Sequence, residues 1–195
     1  MLSVVIATHN SERQLVPVLS ALVPGVTAGV LRDVALVDNG STDDTAAIAD
    51  AAGCTFLHTV SDVGVRLKQG AAQSRGRWLL FLAPQSLLEE GWVREVANFI
   101  ETAERRGQSE RVAATFRLAV DGYGLRPRLG EAMAAARLAL LGLPQPPQGL
   151  LISRKHYERL GGHPAGVRAE RRLASRIGRR RIHLLRTHVL LPDPT

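Results

Sequence analysis

Aromatic residues make up only 4% of this 195-residue chain, and Cys54 is its single cysteine. One thiol excludes an intramolecular disulfide, so nothing points to an oxidising compartment, and Cys54 reads as a small buried apolar residue. No apolar run approaches the roughly 18 residues of a membrane span. Met1 leads straight into a strand-like segment without the charged and apolar regions of a signal peptide. These absences make a cytoplasmic location the expectation. The hydrophobic content, at 45%, fits one compact domain with a core of ordinary size.

Charge is unevenly placed within the net +7. From Arg154 to Arg186 there are eleven Arg or Lys against Glu158 and Glu170. The basic character therefore belongs to the C-terminal part, which would attract phosphorylated substrates, anionic lipid headgroups or nucleic acid. That segment lacks interleaved aromatics and any recognised nucleic-acid module, so nucleic acid is not an expected partner. A solvated arginine-rich helix face is the alternative.

Periodicity reads as alternating strands and helices. Leu2 to Ala7 (LSVVIA) is a short β-branched strand with Thr8, His9 and Asn10 as its exit turn. Ser11 then caps a helix from about Glu12 to Leu22, with Leu15, Val18, Leu19 and Leu22 inward. Pro24, Gly25 and Gly29 read as a loop. Val34 to Val37 is a buried strand ended by Asp38, and Asn39 and Gly40 supply a sharp turn. Ser41 or Thr42 is placed to cap the next helix, with Asp43 and Asp44 in its first turn. Ligands of open α/β sheets bind outside the carboxyl ends of strands, where Asp38 sits.

The alternation continues with a strand at 55–60, an alanine-rich helix at 70–76 and a central strand at Trp78 to Leu82. A long amphipathic helix from Leu88 to about Arg106 turns Trp92, Val96, Phe99 and Ile100 inward. Val112 to Val120 is strand-like, Glu131 to Leu141 helical, and 142–147 a loop rich in proline. Gly149 to Ser153 is the last clear strand. The order predicts an α/β fold of parallel strands joined by right-handed crossovers.

Four landmarks together carry a resemblance: SVVIATHN at 3–10, VDNGSTDDT at 37–45, GAAQSRGRWLLFL at 70–82 and GLLISRKHYERLGG at 149–162. In this order they resemble family 2 glycosyltransferases, and the loops are similar to the short bacterial branch associated with radical-SAM or selenium-domain proteins. The resemblance implies a single-domain GT-A fold over 1–195. This is a Rossmann-like three-layer sandwich on a mostly parallel central sheet, with a nucleotide-binding part at about 1–105 and an acceptor-side part at about 106–195.

It further implies that Ala7, Thr8 and His9, with Asp38 and the turn at Gly40, hold the nucleoside of a nucleoside diphosphate sugar. A carboxylate suits the imide N–H of uracil, and the His9 ring can lie against a base. Where the family carries an acidic motif that binds Mg²⁺ or Mn²⁺, this chain has Ala83, Pro84, Gln85 and Ser86. A Gln carbonyl is a weak ligand for a hard cation, so no metal-binding residue is assigned. Arg66, Lys68 and Gln85 become the candidates for the diphosphate, since a cationic clamp can stabilise a departing diphosphate.

The family's general base falls on Glu170 and its acidic neighbour on Ala169, while His163, in a phenylalanine-like position, is the back-up base. An i,i+4 pairing of Glu170 with arginine is the competing structural reading. Three functions stay open at this level. One is an inverting glycosyltransferase with an unknown acceptor. The second is a degenerate relative that binds a nucleotide sugar or a protein partner. The third is a binder of nucleic acid or of an anionic membrane surface, peripheral membrane contact being the partner that the basic end fits.

Overall fold

The computed structural model of the chain describes residues 1–120 and 146–191. In chain order the elements are β1 (Leu2–Thr8), α1 (Glu12–Thr27), β2 (Leu31–Asp38), α2 (Thr45–Ala51), β3 (Thr55–His58) and α3 (Val63–Gln73). These are followed by β4 (Trp78–Leu82), β5 (Leu87–Leu88), α4 (Trp92–Arg105) and β6 (Ala113–Val120). Then come a short 3₁₀ turn at Pro146–Gln148, β7 (Leu150–Ser153), α5 (Arg154–Arg159), α6 (Ala169–Ile177), a second 3₁₀ turn at Arg179–Arg181 and β8 (Ile182–Leu191). The helix expected at 131–141 lies outside the described residues.

All eight strands form one sheet in the order β3-β2-β1-β4-β7-β6-β8-β5. The first four run parallel, β7 runs antiparallel to both β4 and β6, β8 is parallel to β6, and β5 closes the edge antiparallel to β8. Alternation along the strands divides the core in two, because successive side chains point to opposite faces. Leu2, Val4, Ile6, Trp78, Leu80 and Leu82 pack on one face with Leu15, Val18 and Leu22 of α1, Ala49 of α2 and Trp92 and Val96 of α4. Val5, Leu79 and Phe81 pack on the other with Leu67 and Ala71 of α3, Tyr157 of α5 and Leu173 and Ile177 of α6. The result is a three-layer sandwich.

Several boundaries differ from the sequence expectations for identifiable reasons. Helix α1 runs through Pro17 and Pro24 to Thr27, so Pro24 and Gly25 are helical. Gly25 leaves room for the ring of Trp92, which packs against that turn. Helix α3 starts seven residues earlier than expected, because Asp62 caps it by accepting from the amides of Gly64 at 2.9 Å and Val65 at 3.1 Å. Leu88 lies in β5, and α4 begins at Trp92. Cys54 is half-buried, and burial pushes its thiol up to about 11.

Strand β8 carried no clear signal in IHLLRTHVLL, where His183, Arg186 and His188 interrupt the apolar positions. Against β6 it is bulged: Thr115 pairs with Leu184, but Arg117 pairs with His188. The amides of Arg186 and Thr187 in that bulge are accepted by Glu95 of α4, at 2.6 and 3.1 Å. A side chain from the covering helix thus replaces the missing ladder bonds. Among the described residues, no helix is long and apolar enough to cross a membrane.

Candidate functional site

The parallel register sets Thr8 of β1 beside Asp38 of β2 at the carboxyl edge of the sheet. The Thr8 hydroxyl donates to Asp38 Oδ1 at 2.9 Å. Gly40, with φ +78°, turns the chain back so that the Ser41 amide reaches Asp38 Oδ2 at 2.7 Å and the Ser41 hydroxyl reaches Oδ1 at 2.5 Å. Asp38 is 2% exposed. Burial works against its charged form, but the Ser41 hydroxyl and amide, the Thr8 hydroxyl and the Gly40 amide together hold the carboxyl below its ordinary range. Oδ1 already accepts two hydrogen bonds, whereas Oδ2 accepts one and has His58 Nδ1 at 3.9 Å.

The two exit turns are knitted together by residues that sequence reasoning passed over. Asn10 adopts a left-handed conformation at φ 46°, donates its amide to Ser41 Oγ at 2.8 Å and accepts from the Thr42 amide at 2.9 Å. Asp43 accepts from the amides of Glu12 and Thr45, while Glu12 accepts from the Asp44 amide. The two helix N-termini thus cap each other through Asp43 and Glu12, and α2 begins at Thr45 without the expected cap from Ser41 or Thr42. The cue in the sequence was the density of short polar residues at 8–12 and 39–45, the types that bond to backbone in turns.

Arg66 of α3 is engaged beneath these turns. Its Nη1 donates to the Thr8 carbonyl at 2.8 Å and the Val37 carbonyl at 3.4 Å, and its Nε to the Ser61 carbonyl at 3.2 Å. Most of its donors thus tie the β1 and β2 ends to α3. Lys68 is exposed on α3, and His9 is exposed in the β1 exit turn. Gln85 is half-buried in a tight turn closed by the Ser86 amide on the Ala83 carbonyl at 3.0 Å.

Beside this nucleus a pocket of about 90 Å³ opens at the exits of β1 and β4, lined by Ala7, Val63, Leu67, Phe81, Ala83, Pro84, His163 and Glu170. That volume holds roughly three waters or one edge of a ligand. Glu170 comes from the first turn of α6 and is half-buried. No hydrogen-bond or salt-bridge partner of Glu170 occurs among the described residues, and the competing i,i+4 arginine pairing is not formed, since the residues four positions away are Gly166 and Ala174. Neither Lys68 nor Gln85 is among the lining residues.

His163 is 2% exposed. Its amide donates to Tyr157 Oη at 3.1 Å, and its Nδ1 lies 2.9 Å from the same oxygen. Burial pushes its imidazole down to about 3, so the ring is neutral near neutral pH. Much of the basic segment is also committed internally. Arg154 donates to the carbonyls of Gly76, Ala71 and Ser74, Arg172 to Ala165, and Arg176 to Leu160 and Gly162.

The residues after β4 do not fit a hard divalent cation. Ala83 and Pro84 offer no side-chain oxygen, and the Ser86 hydroxyl is buried and donates to the Pro147 carbonyl at 2.8 Å. No group of three His, Cys, Asp or Glu side chains among the described residues comes together as a ligand set.

Residues 3–110 match the sequence profile of glycosyl transferase family 2. The chain belongs to that family. No curated protein sequence matches it. Among solved structures, the fold is similar to S. aureus TarS 1-349 in complex with UDP-GlcNAc. The TM-score is 0.72 at 15% identity, covering 100% of this chain and 59% of that one. It is also similar to glucosyl-3-phosphoglycerate synthase from Mycobacterium tuberculosis in complex with UDP, with TM-score 0.67 and 22% identity, covering 100% of this chain and 71% of that one. A further structure of that synthase contains Mn²⁺, UDP and glucosyl-3-phosphoglycerate, with TM-score 0.62 and 22% identity over 98% of this chain and 70% of that one. The chain spans about three fifths of the TarS fragment. The α/β sandwich described above is thus the GT-A fold of this glycosyltransferase family. The profile match takes in the Asp38 turns, α3 and the loop after β4, whereas Glu170 and His163 lie beyond it.

Proposed function

We propose that this family 2 protein transfers a sugar from a uridine-type nucleoside diphosphate donor to an acceptor hydroxyl with inversion, Glu170 serving as general base. The observation that carries this reading is Glu170 itself: a carboxylate without a partner among the described residues, in the wall of a pocket at the exits of β1 and β4. A base must come within hydrogen-bond reach of the hydroxyl it activates. In the step, Glu170 takes the acceptor O–H proton and the acceptor oxygen bonds to the anomeric carbon. The bond from that carbon to the diphosphate oxygen breaks, and the nucleoside diphosphate leaves.

The nucleoside is assigned to the Asp38 turns, where the carboxylate accepts a base N–H and the backbone from Ala7 to His9 and at Gly40 shapes the rim. Arg66, whose Nη2 has no hydrogen-bond partner among the described residues, faces the diphosphate in this reading together with Lys68 and Gln85. The exposed arginines near α6 are the surface for peripheral contact with an anionic membrane. TarS and the mycobacterial synthase, seen with UDP-GlcNAc and UDP, support the choice of uridine. The loop Ala83 to Ser86, without a carboxylate, favours a second reading, in which the protein binds a nucleotide sugar without turning it over.

Calorimetry against UDP, GDP, TDP, UDP-glucose and UDP-GlcNAc, followed by assay of slow donor hydrolysis, tests both. Selective uridine binding with UDP release supports the transferase. Binding without release supports the second reading, and no binding of any nucleotide overturns both.

A further inference from the structure

The pocket at the exits of β1 and β4 is walled mainly by hydrocarbon, contributed by Val63, Leu67, Phe81, Pro84, Pro146 and Leu150 among others. Among the described residues of that wall, only His163 and Glu170 carry polar side-chain atoms. His163 presents ring carbon: its Nδ1 lies 2.9 Å from Tyr157 Oη, and its Nε2 is closed off from the surface. Glu170, half-buried and without a partner among the described residues, is left as the one side chain of the wall with hydrogen-bonding capacity.

The backbone of the wall is largely spent as well. The Ala83 carbonyl accepts from the Ser86 amide at 3.0 Å, and the Pro146 carbonyl from the Gly149 amide at 3.3 Å. The Gly149 carbonyl accepts from the Thr115 hydroxyl at 2.6 Å. Phe81 and Leu150 pair in the ladder between β4 and β7, and Pro84 and Pro146 have no N–H to give. A sugar ring placed here would bring several hydroxyls to a single acceptor, and each hydroxyl buried against carbon weakens binding. An apolar body gains from the same burial.

We propose that the pocket takes the hydroxyl-bearing end of an apolar alcohol as the acceptor. The hydroxyl donates to Glu170, the carbon body lies against the hydrocarbon wall, and the donor's sugar stays at the mouth, where water satisfies its hydroxyls. A volume of about 90 Å³ admits the hydroxyl and the carbons nearest it, leaving the rest of the acceptor outside. The proposal rests on the reading of Glu170 as general base and names the acceptor class that reading leaves open. A polyhydroxylated or phosphorylated acceptor finds no matching partners in this wall.

Saturation-transfer NMR in the presence of UDP, with phenol, 1-butanol, glycerol and glucose as probes, supplies the first test. Phenol and 1-butanol should receive saturation from the protein's methyl groups, and glycerol and glucose should not; the stronger of the first two separates an aromatic from an aliphatic body. Titration supplies the second. Toluene, which has the shape of phenol without the hydroxyl, should bind wild type about tenfold more weakly than phenol, the size of one hydrogen bond to a charged group. Glu170→Ala should bring the two within twofold of each other. Val63→Ser should weaken phenol about fivefold, as expected for lost apolar contact, with UDP affinity within twofold of wild type.

Glucose or glycerol bound as tightly as phenol and 1-butanol, no binding of either apolar probe, or a phenol–toluene gap that survives Glu170→Ala overturns the acceptor class. UDP binding, measured in the same samples, then leaves the donor reading standing. Full turnover by Glu170→Gln overturns the base reading, and with it the acceptor's place in the pocket. Should Val63→Ser not fold, the wild-type probe series still decides.

Discussion

Gly64, in the first turn of α3, lies so close to the carbonyl of Pro164 that no β-carbon fits between them, and that carbon would also meet Ala169 Cβ at 2.7 Å. Ala169 opens α6 and precedes Glu170, so this contact fixes where the carboxylate enters the pocket. Gly64→Ala must push α3 and α6 apart. The expected result is a loss of about 1 to 3 kcal/mol in stability, the usual range for overpacking, measured by urea unfolding. Turnover should fall, since Glu170 follows Ala169 directly, and UDP affinity should fall too if α3 carries Arg66 away from the Thr8 and Val37 carbonyls.

Asp38 serves the fold before it serves any ligand. Asp38→Ala leaves the Thr8 hydroxyl and the Ser41 amide and hydroxyl without their acceptor, and should destabilise the protein by about 1.5 to 3 kcal/mol, as for hydrogen bonds to a charged group. The wild type should show a linked pH effect. Its folded carboxyl titrates below the ordinary value, so the contribution is full above about pH 4 and is lost as pH falls through the lower folded value. Urea midpoints followed from pH 6 to pH 2 should drop in this acid range for wild type and drop less for the variant. Parallel curves would remove Asp38 from that role.

Glu170→Gln keeps the shape of the side chain and removes its basicity. Turnover should fall by roughly 10²-fold or more with UDP affinity within twofold of wild type, because general-base catalysis is worth about that factor. Steady-state kinetics with calorimetry separates the two quantities. A variant with full turnover would assign the base elsewhere.

The neutral loop after β4 predicts indifference to chelation. UDP affinity with EDTA present should stay within about twofold of that with added Mn²⁺, since Ala83, Pro84 and Gln85 bring no carboxylate to a cation. A tenfold loss with EDTA that Mn²⁺ restores would show that ligands come from other residues.

The sequence by itself determined what depends on contiguous residues. Periodic apolar runs set β1, β2, β4 and the inward faces of α1 and α4, because burial selects side chains at the spacing of one element. The strand-ending Asp38 and the Asn39-Gly40 turn were legible for the same reason, as was the attachment of Glu170 to the segment after Gly161 and Gly162. The parallel register then followed from the strand–helix alternation. What only the tertiary structure decided are contacts between segments far apart in the chain. Arg66 reaches the Thr8 carbonyl across 58 positions, and Glu95 meets the bulged amides of β8 across more than 90. Glu12 and Asp43 cap each other's helices at a separation of 31. No local pattern encodes such partners, since a guanidinium or carboxylate has the same spacing in sequence whether it meets a ligand, solvent or a distant backbone group. His163 makes the same point at short range: packing against Phe81 and Tyr157 buries its Nε2 without a hydrogen-bond partner among the described residues, which its place between Gly162 and Pro164 does not foretell.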